Sequence, residues 1–164
     1  MEITKEMNNA LNIQIQEELN SSYIYLAMAA KAESMTLPGI AKWMKKQSNE
    51  EIEHAMKIFD FINERSGEVE LLPISKPNAD WETPVELFET AYKHEQHITK
   101  CIHDLVDLAK KNSDHATEQM LQWFVAEQVE EETNTSTVLE QLKMAGDNKG
   151  ALLMLDYGLS KRKD

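Results

Sequence analysis

Apolar residues recur at intervals of three and four along most of this chain, and the recurrence breaks at four places. Leu11, Ile15, Leu19, Ser22, Leu26 and Ala29 mark the first stripe, which predicts a helix from Thr4, a capping residue, to about Ser34. Glu18 and Tyr25 fall on that stripe. Pro38 and Gly39 open a second run with the stripe Ile40, Met44, Gln47, Glu51, His54 or Ala55, Ile58 and Ile62, stopped at Gly67. The short connection makes these two helices antiparallel neighbours.

From Gly67 to Glu82 the periodicity is lost among Pro73, Pro77 and an Asn-Ala-Asp cluster. Sixteen extended residues reach roughly 53 Å, whereas a helix of about 28 residues is about 42 Å long. Such a connector can cross the whole bundle, so the third helix is expected to run parallel to the second. Thr83-Pro84-Val85-Glu86 is a capping box with proline at the first helical position, and it opens the stripe Phe88, Ala91, Glu95, Ile98, Ile102, Leu105 and Ala109. After Asn112-Ser113-Asp114 a fourth helix is predicted to Gly146, with Leu121, Phe124, Gln128, Glu131, Thr135, Val138 and Leu142 on its face. A short apolar segment, Ala151 to Leu159, then precedes the basic tail Lys161-Arg162-Lys163, which is read as solvated.

The expected fold is all-α, one domain over 1–164, with a four-helix bundle at about 4–146 and a short terminal helix at about 148–159. Composition agrees, since Glu, Lys, Leu, Met and Ala outweigh β-branched residues in a chain long enough for a sizeable core. A net charge of −12 argues against a nucleic-acid partner and suits a surface or cavity that collects cations. The single cysteine, Cys101, excludes an internal disulfide framework and points to the cytoplasm. No apolar run is long enough to span a bilayer, so no membrane partner is expected.

Charge placement changes the picture more than charge count. Glu18, Glu51, Glu95 and Glu131 each lie near the middle of a different predicted helix and on its apolar stripe. Mid-helix residues of a bundle share one height whichever way each helix points, so four carboxylates converge on the axis. One such glutamate alone would be read as a solvated charge on a misassigned face. Four centred in four stripes would repel until they protonated or the bundle opened, and no lysine or arginine lies on these stripes to offset them. Bound metal supplies the missing charge, with His54, three residues after Glu51, adding a nitrogen. Oxygen-rich ligation with one nitrogen and no thiolate suits iron or manganese over zinc.

The pattern resembles the ferritin-like di-metal carboxylate bundle with its long crossover between helices two and three. More narrowly, the chain is similar to the bacterial non-haem ferritin family along nearly its whole length. The likeness is carried by Glu18 with Ser21-Ser22, by Glu50-Glu51-x-x-His54, by Tyr92-Lys93-His94-Glu95-Gln96, and by Leu121-Gln122-Trp123 leading into Glu127-Gln128-x-Glu130-Glu131. It implies a first iron held by Glu18, Glu51 and His54, and a second held by bridging Glu51 with Glu95 and Glu131, Gln128 lying close by. It further implies a third site from Glu50, Glu127, Glu130 and Glu131, oxidation of Fe(II) by O2 or H2O2, and mineral storage in a hollow homo-oligomeric shell of 24 subunits. Relatives on the same fold are set apart by what stands at key positions. Asn134 occupies the place of a second histidine, which favours storage over an oxygenase, and Ile52 replaces a haem-ligating methionine, so no haem is expected. The alternative is a di-iron or di-manganese peroxidase or oxidase without mineral.

Four other features invite a reading. Tyr25, two turns after Glu18, can bond a metal ligand or supply an electron, and Trp123 is read the same way with a core role as the plain alternative. His94 and His97 flank Glu95 too closely for a zinc-protease motif and are expected on the surface. The methionines are expected to fill gaps in the core.

Overall fold

The computed structural model describes residues 2–162; Met1, Lys163 and Asp164, and with them one residue of the basic tail, lie outside this range. Five helices follow in order: α1 Lys5–Ser34, α2 Pro38–Glu64, α3 Pro84–Lys111, α4 His115–Ala145 and α5 Lys149–Leu159. Every start except that of α2 is capped by a neighbouring side chain. Thr4 Oγ1 accepts from Met7 N at 3.2 Å, the Thr83/Glu86 capping box closes in both directions, and the Asp114 carboxylate accepts from Thr117 N at 3.1 Å. At the end of α4, Gly146 takes φ 52°, a conformation that favours a residue without Cβ.

Cross-helix bonds give the helix directions. Lys45 reaches Glu33 and Ser22 meets Ser48, so α2 runs against α1; Ser21 meets His94 while Asn112 reaches Glu6, so α3 also runs against α1. The second and third helices are therefore parallel, as the long connector predicted. The connector is held down by a ladder on α1 that the sequence reading missed. Asn8, Asn12, Gln16 and Asn20, spaced by four, bond the backbone of Glu68, Glu70, Pro73 and Ser75 in turn. An extended segment without partners of its own is thereby satisfied along its length.

The core has two apolar compartments. Tyr25, Met28, Trp43, Met44 and Phe88 centre one, and Met7, Leu11, Ile58, Ile62, Ile102 and Phe124 centre the other. Between them lies a buried polar layer containing Gln14, Glu18, Gln47, Glu51, His54, Glu95, Gln128 and Glu131. Two stripe positions on α1 differ from expectation: Leu19 is half-buried and Leu26 is 49% exposed. The buried arc of α1 is turned toward Ser21, Ser22, Tyr25, Met28 and Ala29, where it meets α2 and α3, and Leu26 is left at its edge. The methionines divide similarly, for Met7, Met28 and Met44 are buried whereas Met144 and Met154 stand at 81% and 77% exposure around α5.

The terminal helix docks through one carboxylate. Buried Asp156 accepts from Gly39 N at 3.0 Å and Ile40 N at 2.7 Å, capping α2 from outside its own sequence neighbourhood. A Cβ on Gly39 would lie 1.8 Å from the Asp156 carbonyl oxygen, so the approach requires glycine. The tail beyond it is not simply solvated. Arg162 pairs with Glu50 at 2.8 Å and sits 4.7 Å from the Trp43 ring centroid, while Lys161 lies over Tyr157.

Candidate metal centre

Each of the four long helices delivers one carboxylate to the polar layer, because each places its glutamate on a stripe that is otherwise apolar. Glu18, Glu51, Glu95 and Glu131 are all at most 2% exposed. Glu18, Glu51 and His54 bring one ligand atom each within 4.8 Å of one another, and a second group joins His54 to Glu127 and Glu131 at the same spacing. His54 stands between the groups, with Nδ1 3.2 Å from Glu51 Oε2 and Nε2 3.7 Å from Glu127 Oε1. Its ring is wedged edge-on against Trp123 and Phe124. Trp123 itself is 40% exposed, so it links the centre to the surface and is no core residue.

Burial dominates the electrostatics. It pushes the Glu51 carboxyl well above the usual carboxylate range, and the neighbouring Glu95, Glu18 and Glu131 push the same way. Glu131 is driven up to about 8 by burial and then by Glu95. Glu95 rises to about 7 through burial, against the lowering effect of hydrogen bonds from Tyr25 and Gln128. Glu18 is raised by burial, partly countered by His54. Without a cation the layer therefore retains protons near neutral pH, and a metal ion would replace them. One oxygen, Glu18 Oε2, is buried and accepts no hydrogen bond from the described residues. The donor set of carboxylate oxygens with one imidazole fits iron, and among the described residues the buried cation Arg65 is engaged with Asp114, at the ends of α2 and α4 and not in the layer.

A surrounding set of amides and hydroxyls holds the carboxylates in place. Tyr25 donates its hydroxyl to Glu95 Oε1, and Gln128 Nε2 donates to Glu95 Oε2 at 3.1 Å. Gln47 Nε2 donates to Glu131 Oε2 at 2.7 Å, and Gln14 Nε2 donates to Glu18 Oε1 at 2.8 Å. The sequence pattern marks Gln47 as a stripe position and does not mark Gln14. Gln14 stands four residues before its partner Glu18, a spacing visible in the sequence, whereas Gln47 reaches across to Glu131 on α4, a pairing that no local spacing signals.

The remaining acidic candidates lie on the α2/α4 side. Glu127 is half-buried, and burial raises its carboxyl, whereas Glu130 is exposed. Glu50 is turned to Arg162 and, at 3.7 Å, to Lys46. One expectation is corrected: His94 is half-buried rather than superficial. Its Nε2 lies 2.6 Å from Ser21 Oγ, and burial holds its pKa down at about 4. His97 is exposed as expected and meets Glu17 at 3.0 Å.

The Ferritin family, described as a ferritin-like domain, matches residues 8–145. The chain is 39% identical over 160 residues to a bacterial non-heme ferritin of Bacteroides fragilis, covering 98% of this chain and 99% of that one. It is 33% identical to a bacterial non-heme ferritin of Staphylococcus aureus, covering 98% and 96%. Among solved structures it is similar to an open pore ferritin of Archaeoglobus fulgidus, at TM-score 0.97 and 46% identity over 98% of each chain.

Proposed function

The chain belongs to the ferritin family and is an iron-storage protein, and from that premise we propose that its buried carboxylate layer is a ferroxidase centre. Ferrous iron is the substrate. Glu18, Glu51 and His54 would hold one ion, and Glu51, Glu95 and Glu131 would hold a second. Each pair of Fe(II) gives up two electrons to O2 or H2O2, and the ferric ions pass on to be deposited as oxyhydroxide. Hard anionic oxygens favour the higher charge, so the ligand set itself biases the couple toward Fe(III). Gln128, Tyr25, Gln14 and Gln47 act by holding the carboxylates at their positions through the hydrogen bonds described above.

The observation that carries this reading is the convergence of Glu18, Glu51 and His54 in a buried layer that also holds Glu95 and Glu131. A third iron position formed by Glu50, Glu127, Glu130 and Glu131 belongs to the same proposal, and the contact of Glu127 with His54 supports it. A single domain over 1–164 and a cytoplasmic location complete it; among the described residues no helix is long and apolar enough to cross a membrane.

We also propose assembly into a hollow 24-subunit shell. Met144, Leu153, Met154 and Tyr157 are between 59% and 81% exposed around the α4/α5 junction, a surface that self-association would cover. Fe(II) added under air tests the storage reading against a di-iron or di-manganese enzyme. Rapid oxidation with many irons retained per chain is expected. Oxidation with only two retained would reject storage, and no oxidation would reject the centre.

A further inference from the structure

A second group of metal-ligating side chains lies across α1 from the carboxylate layer, on the α1/α3 face. Glu17 Oε2 stands 3.0 Å from His97 Nε2, and Cys101 Sγ stands 3.6 Å from the same nitrogen. All three ligand atoms fall within 4.8 Å of one another. His97 and Cys101 are four apart on α3 and therefore share a face, while Glu17 is brought to them by the antiparallel α1.

These separations are close to those around a tetrahedral ion. With metal–nitrogen and metal–oxygen bonds of about 2.0–2.2 Å and a metal–sulfur bond of about 2.3 Å, tetrahedral angles put neighbouring ligand atoms roughly 3.3–3.7 Å apart. Small rotations of the three side chains would bring the observed trio into that range. His97 is exposed and Cys101 and Glu17 are half-buried, so the fourth position opens to solvent. The nearby carboxylate of Asp104 is tied to Lys100 at 2.6 Å and is not counted among the ligands.

The donor set differs in kind from that of the buried layer. One thiolate, one imidazole and one carboxylate suit a borderline-soft divalent cation, whereas the layer offers no sulfur. We propose that Glu17, His97 and Cys101 form a surface site for zinc-like divalent cations, chemically distinct from the iron centre. Two protein segments contribute, so an ion bound there would cross-link α1 to α3 at mid-height. The candidate third iron position lies on α2 and α4, and the two sites therefore flank the carboxylate layer from opposite sides. Binding displaces the Cys101 proton, since the thiolate is the ligand.

Cobalt(II) titrated into the reduced, iron-free assembled protein under anaerobic conditions tests this directly. Cobalt in the carboxylate layer has no sulfur ligand, so a sulfur-to-cobalt charge-transfer band reports only on Cys101. The expected result is a band that saturates, is abolished by Cys101→Ser and by His97→Ala, weakens in Glu17→Gln, survives Glu51→Ala, and is bleached by added zinc. No band in the wild-type protein, or one that His97→Ala leaves intact, would overturn the proposal and reduce the trio to an ion pair with a neighbouring thiol. Circular dichroism of each variant identifies any loss of fold. Should Cys101→Ser fail to fold, exposed His97→Ala carries the decision.

Discussion

Replacing Glu131 with glutamine should stabilise the metal-free protein in alkali and leave it nearly unchanged in mild acid. The Glu131 carboxyl is held at about 8 against an ordinary 4.5, first by burial and then by Glu95. A carboxyl raised in the fold binds its proton more tightly there than in the unfolded chain. Its contribution to stability is complete below the unfolded value, is lost as pH rises, and is gone above the folded value. At about 1.36 kcal/mol per unit the ceiling is about 5 kcal/mol, and sharing protons with Glu95 makes about half of that the working figure. The glutamine amide oxygen can still accept from Gln47 Nε2, now 2.7 Å from Glu131 Oε2, so charge is removed while the hydrogen bond remains. For a chain of this size about 1 kcal/mol moves Tm by roughly 2–4 °C, which gives a gap of about 5–10 °C near pH 9 and almost none near pH 5. Scanning calorimetry with chelator present measures it. A gap that does not change with pH, or a wild type that is more stable near pH 9, would refute the account of the layer's electrostatics.

Three further outcomes are expected. Glu51→Ala should slow oxidation of the first two irons more than Glu18→Ala or Glu131→Ala does, by roughly tenfold or more, because in the proposed centre Glu51 is the carboxylate that would serve both ions; stopped-flow absorbance decides it. Asp156→Ala removes two charge-assisted bonds to α2 and should cost about 3 kcal/mol, freeing α5 to exchange its amide hydrogens and weakening the shell in sedimentation. Gly39→Ala should release α5 by the opposite route, through collision with the Asp156 carbonyl, and show the same exchange signature.

Much of this was legible in the sequence, because helical periodicity and helix caps are local signals. Pro84 after Thr83, and Asp114 before the fourth stripe, fix helix starts without reference to the rest of the fold. The four glutamates could be placed at one height because their positions along each helix follow from those starts. What escaped was long-range pairing. Nothing near Asp156 announces that it will cap a helix more than a hundred residues earlier, and the amide ladder on α1 is visible as a period of four only once the connector is known to lie along it. The burial of His94 escaped for a different reason. Turning Glu95 fully inward does not force its neighbour outward where α1 covers the flank of α3, and Ser21 is the residue that covers it. Leu26 is the converse case, an apolar residue that the same packing leaves outside.

Storage requires that oxidised iron leave the centre, and the sequence gives a reason to expect that it does. Asn134 stands three residues after Glu131, where a histidine would anchor a permanent second iron, and Gln128 turns an amide donor toward Glu95. Glu127 lies within reach of His54, and exposed Glu130 follows on the same helix as the next carboxylate. Mössbauer spectroscopy can follow a first dose of labelled iron while a second, unlabelled dose is added. The account predicts that the labelled ions move from the paired site into mineral over minutes, and that Glu130→Ala alters this transfer more than the initial oxidation. Labelled iron that remained a permanent di-iron pair, with no mineral formed at high loading, would contradict it.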